Sequence, residues 1–138
     1  LLKFGEEQQT NPMSTFNRRW SLAAVVVLTA GAIWFAVREY RCKVRGSVFA
    51  RQVESIEQDA SKELKIGADE AVVARFFRNH GIPFSIVDAQ AYGALRTSGC
   101  APFGCGTDIA FIMVQVKLDT VGAVAEAPKV TGMYKDCL

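Results

Sequence analysis

Hydrophobic and polar positions along the chain fall into three regimes. From Trp20 to Val37 it reads WSLAAVVVLTAGAIWFAV, with no charge, bracketed by Arg18-Arg19 and Arg38. About 20 apolar residues at about 1.5 Å each cross a hydrocarbon core of about 30 Å, so this run predicts a membrane-spanning helix. Trp20 and Tyr40 are spaced to sit at the two interfaces, where amphipathic aromatic rings are favoured. Ala30-Gly31-Ala32 has the small residues of a cleavage site, but Ile33-Trp34-Phe35-Ala36-Val37 carries the apolar run past it, which favours an uncleaved signal anchor. Cys42 follows Glu39-Tyr40-Arg41, large and charged residues that do not fit a lipidation signal.

Between Ser47 and Leu64 the period shortens to that of an amphipathic helix running on from the membrane. Phe49, Val53, Ile56, Ala60 and Leu64 recur at steps of three and four, with Arg51, Glu54, Glu57 and Lys62 on the other faces. A second helix is punctuated at both ends. Asp69 is its N-cap, Glu70 its first-turn acid, and Val72, Val73, Phe76 and Phe77 its buried stripe. Gly81 supplies a left-handed cap and Pro83 forbids continuation.

After Pro83 the alternation becomes that of strands. Residues 84–87 and 91–95 read as short strands around a turn at Asp88-Ala89-Gln90, the second weakened by Gly93. In 108–118, Ala110, Ile112, Val114, Val116 and Leu118 form one continuous apolar face, while Ile109, Phe111 and Met113 give way to Gln115 and Lys117 on the other. Asp119-Thr120-Val121-Gly122 makes a turn, and 123–134 returns antiparallel with Pro128 marking an edge or a bulge. The expected fold class is α+β: one N-terminal transmembrane helix, then two helices packed on a three- to four-stranded antiparallel sheet. The organisation is a polar N-terminal tail at 1–19, a transmembrane helix at 20–37, a basic juxtamembrane linker at 38–46 and a small soluble domain at 47–138. Residues 1–12 lack an initiator Met and read as a disordered tail, or as an extension of a chain starting at Met13.

Composition changes the picture in two ways. At 138 residues the chain has room for one small domain, which excludes a multidomain enzyme. The net charge of +2 is unevenly spread: residues 46–138 carry nine Lys/Arg against eleven Asp/Glu, a net of −2. A basic groove for nucleic acid is not expected on such a domain. Two basic residues, Arg18 and Arg19, precede the span closely, and five, Arg38, Arg41, Lys43, Arg45 and Arg51, follow it. By the positive-inside rule that pattern puts the C-terminal domain in the cytoplasm.

The four cysteines point the other way. Cys100 and Cys105 flank Ala-Pro-Phe-Gly in a turn-rich loop, with Cys42 and Cys137 remote in sequence. An even number of Cys in a domain of about 100 residues is the pattern of exported, oxidised proteins. Zinc ligation lacks its paired short spacings, since there is one C-x4-C, no C-x2-C, and the lone His80 is distant. Four Cys admit three connectivities, and proximity in sequence supports only the Cys100–Cys105 bond, leaving open whether Cys42 and Cys137 also pair. Long translocated domains depend less on flanking charge, so the favoured location is the bacterial inner membrane, single-pass, with the C-terminal domain in the periplasm.

Catalytic chemistry finds no foothold. The sequence has no phosphate loop, no G-x-S-x-G and no HExxH, and His80 reads as a helix-end residue. No cofactor, no catalytic residue and no small-molecule pocket are expected, because no polar cluster converges. A redox pair at Cys100 and Cys105 would carry four intervening residues in a Pro/Gly loop where two at a helix N-terminus are usual. Phe103, at the tip of that loop, is the candidate protein contact; the favoured alternative has it folded back over the sheet, because hydrophobic loop residues pack when they can.

Leu64-Lys65-Ile66-Gly67-Ala68-Asp69, Val73 six residues after the Gly, and Gly81-Ile82-Pro83 resemble the helix-entry and helix-exit pattern of the small BamE/SmpA-like periplasmic domains, over about residues 47–134. Those domains, like β-lactamase inhibitor proteins, pack two helices on an antiparallel sheet. Here the helix is about one turn longer, and a spanning segment replaces the family's lipid-anchored Cys. The resemblance implies the fold and a binding role. The expected function is a membrane-anchored, non-enzymatic periplasmic domain that binds another protein; the alternative is an inhibitor or immunity-type protein, or a thiol-redox protein.

Overall fold

The computed structural model describes residues 13–137, so the tail 1–12 expected to be disordered and Leu138 lie outside the described residues. Helix α1 runs from Met13 to Glu63 and α2 from Glu70 to Asn79; strands β1 (Phe84–Val87), β2 (Gln90–Ser98), β3 (Ile109–Lys117) and β4 (Lys129–Tyr134) follow. The chain is therefore α+β, and α1 is one uninterrupted element of 51 residues. Residues 13–19 of the expected tail and the expected linker 38–46 are both helical. No Gly-Pro or Pro breaker separates the apolar run from the amphipathic one, so nothing ends the helix between them.

Two units make up the chain, Leu1–Tyr40 and Arg41–Leu138. In the first, every residue from Trp20 to Tyr40 is exposed. An eighteen-residue window reaches a mean hydropathy of 2.1 with none of it buried, long and apolar enough to cross a membrane. Its one mid-run hydroxyl is satisfied internally, Thr29 Oγ1 donating to the Val26 carbonyl at 3.0 Å. Arg38 lies 5.7 Å from the centre of the Trp34 ring, in cation–π range.

In the second unit, the remainder of α1 and all of α2 cover one face of a four-stranded sheet. Strand order is β1-β2-β3-β4, each neighbour antiparallel, so the sheet is a simple meander. Phe49, Ile56, Ala60 and Leu64 are buried from the first helical segment, and Val73, Phe76 and Phe77 from α2, matching the expected stripes. They meet Ala91, Ala110, Ile112, Val114 and Val116 from the sheet. Asp69 caps α2 as its sequence predicts, its carboxylate accepting from the Val72 N–H at 2.9 Å, and Gly81 beyond the helix has φ +61°. Phe77 stacks on Phe84 with ring centroids 4.9 Å apart, tying α2 to β1. Burying a Phe of this kind stabilises by roughly 1.5–3 kcal/mol over leaving it exposed.

Strand limits differ from the sequence reading by one residue at the start of β2, where Gln90 leaves the expected turn, and at each end of β3, and by more in two places. β2 continues through Gly93 to Ser98, beyond the expected end at 95. Gly93 is required there, because a Cβ would lie 2.7 Å from Ile82 Cγ2 and against the Phe77 ring. The return strand is shorter than 123–134: β4 starts at Lys129, directly after Pro128. Residues before it are held by isolated bridges, Leu118 with Val124 and Asp69 with Ala123. The turn at Asp119 forms as expected, its carboxylate accepting from Val121 N at 2.9 Å and Ala123 N at 2.8 Å.

Candidate functional site

Within the second unit the four cysteines lie in two pairs at disulfide distance, Cys42 with Cys100 and Cys105 with Cys137. This corrects the expected Cys100–Cys105 bond. Cα separations are 5.0 Å and 4.7 Å, within the range for disulfides. The meander decides the partners. β2 ends by delivering Cys100 to the first turns of α1 in this unit, where a Cβ on Gly46 would stand 3.7 Å from Cys100 Cβ. β4 runs back along β3, pairing Tyr134 with Ala110, and so returns Cys137 to the base of the same loop at Cys105. Neither partnership is visible at sequence separations of 58 and 32 residues.

The segment 99–108 projects beyond the last β2–β3 pair, Ser98 with Ile109. Its base is held closely: Gly99 N donates to Asp108 O at 3.0 Å, Cys100 N to the Tyr134 hydroxyl at 3.3 Å, and Ala101 N to Asp108 Oδ1 at 3.2 Å. Asp108 also pairs with Arg45 of α1 at 3.2 Å. Both partners of that pair are nearly half exposed, so it is worth no more than about 1 kcal/mol. Phe103, at the tip, is fully exposed. It does not fold back over the sheet, because the anchored base lifts the tip past the ends of the strands.

A second feature is the sheet face that neither helix covers. Alternation puts Tyr92, Ala94 and Arg96 of β2, Phe111 and Met113 of β3, and Thr131 and Met133 of β4 on this side, opposite the buried row. Register brings them together: Arg96 faces Phe111, Phe111 faces Met133, and Ala94 faces Met113. Tyr92 is 39% and Met133 46% exposed, with the half-buried Phe111 and Met113 between them, so this face is apolar and partly open. Its strand charges are Arg96, Lys117 and Lys129, with Lys117 paired to Glu126 at 3.0 Å. The sequence showed half of this patch, in the Ile109-Phe111-Met113 alternation, but not the β4 residues that extend it.

His80 caps α2, with its ring 4.5 Å from Phe76 and its Nε2 3.9 Å from Asp59 of α1. Among the described residues no group of three or more His, Cys, Asp or Glu is arranged to hold a metal ion. The loop thus has the means to hold a shape, and the open face the means to make contact. Comparison with family models, curated proteins and solved structures returns no match.

Proposed function

We propose that the chain is a single-pass membrane protein whose N-terminal helix anchors a small oxidised domain on the periplasmic side of a bacterial inner membrane, where the open sheet face binds another protein. The observation that carries this reading is the pairing of all four cysteines within one small unit. Such pairs persist in oxidising compartments and not in a reducing cytosol. That argument outweighs the basic residues after the span, because long translocated domains follow flanking charge less closely. An anchored binding role agrees with an open apolar face flanked by Arg96 and Lys129. The BamE/SmpA-like resemblance belongs to this proposal, as the source of the expected binding role. A thiol-redox role loses its basis, since Cys100 and Cys105 each face a different partner.

Reporter fusions after Leu138 test location. Alkaline phosphatase is expected to be active and a cytoplasmic fluorescent reporter dark; the reverse pattern sinks both export and oxidation. Photo-crosslinking from position 113 in native membranes tests the binding face. An adduct is expected there and none from position 57 on the exposed side of α1; equal labelling at both would remove the sheet face from the proposal. The identity of the adduct, an assembly component or a toxin or enzyme, separates the accessory from the inhibitor reading.

A further inference from the structure

We infer that the open edge of β2 along residues 94–98 takes an extended segment of a partner protein as an added strand, with an acidic side chain of that segment facing Arg96. The inference rests on the binding reading above, which it deepens by naming how a partner is held, and it uses only the fold of the second unit.

The sheet has a gap there because β1 is shorter than its neighbour. β1 has four residues and β2 nine, and β1 pairs only with 90–93. One last bond, Ala94 N to Pro83 O at 3.2 Å, ends their contact, and Pro83 has no N–H to give the Ala94 carbonyl in return. The buried Ile82 takes the chain out of the sheet toward α2, its N–H donating to Phe77 O at 2.9 Å. On the other side β3 pairs with all of β2, and Gly99 N donates to Asp108 O at 3.0 Å, so the odd-numbered residues of β2 aim their backbone groups at β3. The even-numbered ones face the other way. Arg96 and Ser98 therefore turn N–H and C=O into the gap, where no group among the described residues bonds them. Such a row is a template for another strand.

Three features select the occupant. Unpaired donors and acceptors recurring two residues apart, about 7 Å along the strand, match the repeat of an extended backbone. Arg96 is exposed and takes part in no ion pair among the described residues. Its side chain lies on the uncovered face, and the residue directly opposite on an added strand projects to the same face. A carboxylate there gains a cross-strand partner, whereas a lysine meets a like charge. Beside the gap lies an open groove of about 380 Å³, lined mainly by Pro83, Ser85, Tyr92, Ala94 and Met113. It adjoins the gap at Ala94 and suits an apolar side chain two residues from the acid. The outer edge of β4 lacks this combination, since Pro128, Lys129 and Lys135 bracket it, and proline and lysine at an edge discourage pairing.

The test uses the isotope-labelled full chain in detergent micelles, with amide hydrogen exchange followed residue by residue. Without ligand, the Arg96 and Ser98 amides are expected to exchange about tenfold or more faster than those of Leu95 and Thr97, which bond to β3. Slow exchange at 96 and 98 in dilute protein means the edge is already covered and overturns the inference. The probe is the blocked peptide acetyl-Thr-Val-Thr-Glu-Thr-Val-Thr-amide at millimolar concentration, beside the same peptide with Lys in place of Glu. The Glu peptide is expected to slow exchange at 96 and 98 and to bind about three- to tenfold more tightly than the Lys peptide, with Arg96→Glu reversing the order. Methylating the Glu amide nitrogen removes one backbone donor and is expected to abolish protection. Unaltered exchange with the Glu peptide, or equal binding of its methylated form, overturns the added strand. Protection that grows with protein concentration alone assigns the gap to a second copy and overturns the acidic partner. The crosslink from position 113 reports on the binding reading separately: an adduct there with unaltered exchange at 96 and 98 retires the added strand and keeps the binding face, whereas no adduct retires the reading itself.

Discussion

Two positions show how single residues fix the sheet. Gly93 sits in the middle of β2 where strand propensity disfavours glycine, yet any Cβ there meets Phe77 and Ile82 from the helical layer. Gly93→Ala is expected to lower unfolding free energy by about 1–3 kcal/mol, the usual cost of overpacking a filled core, read by denaturant titration with an unchanged slope. The β1–β2 turn works in the other direction. Asp88 and Ala89 have φ of 51° and 59°, the pair of left-handed residues that a two-residue hairpin needs, but an Ala in that region carries a steric cost. Left-handed backbone costs an L-residue roughly 1–2 kcal/mol and glycine's extra chain entropy roughly 0.5–1. Ala89→Gly is therefore expected to stabilise by about 0.5 kcal/mol, and a loss of stability would show that the turn is not strained.

At the scale of elements, much was legible because the signals are local. Asp69, Gly81 and Pro83 bound α2 through groups within a few residues of the helix ends, and the alternation in 108–118 marks which side of β3 is buried. Where a signal depends on a distant residue it failed. Gly93 reads as a weak point in a strand until Phe77 is placed above it, and Cys100 reads as the partner of Cys105 until the meander brings up Cys42 and Cys137. The two cysteine pairs close 58 and 32 residues. Chain-entropy arithmetic for such loops gives about 4 kcal/mol each, an upper figure because the loops overlap. Cys105→Ser with Cys137→Ser is accordingly expected to cost about 2–4 kcal/mol of stability, and a similar loss is expected for Cys42→Ser with Cys100→Ser. A cross-pair, Cys100→Ser with Cys105→Ser, leaves two thiols without partners and is expected to cost more than either; equality with wild type would refute the pairing.

For the whole molecule, size explains why covalent bonds are useful. A domain of about 90 residues buries a smaller share of its surface than a larger one, so its core alone leaves a thin margin. The chain extracted from membranes without reductant is expected to show no reactive thiols under denaturing conditions, and four after reduction, matching its cysteine count. Two or more thiols before reduction would place the domain in a reducing compartment. Charge is also a property of the whole: the strands of the open sheet face carry Arg96, Lys117 and Lys129, while Glu54, Glu57, Asp59 and Glu63 line the helical side. The helical side also carries Arg51, Lys62, Lys65, Arg75 and Arg78, so its charges nearly cancel, and on the open face Lys117 is paired with Glu126, which leaves Arg96 and Lys129 as its strand cations.

By itself the sequence determined the elements and their burial: an uncharged run long enough for a bilayer, two helical stripes, strands with one apolar side. These depend on periodicity and on capping groups close at hand, which the order of residues contains. Only the tertiary structure decided which cysteines meet, why Gly93 must lack a side chain, and that Phe103 stands clear of the sheet. Each of those is a distance between residues far apart in the chain, set by the antiparallel register of four strands and the helices above them.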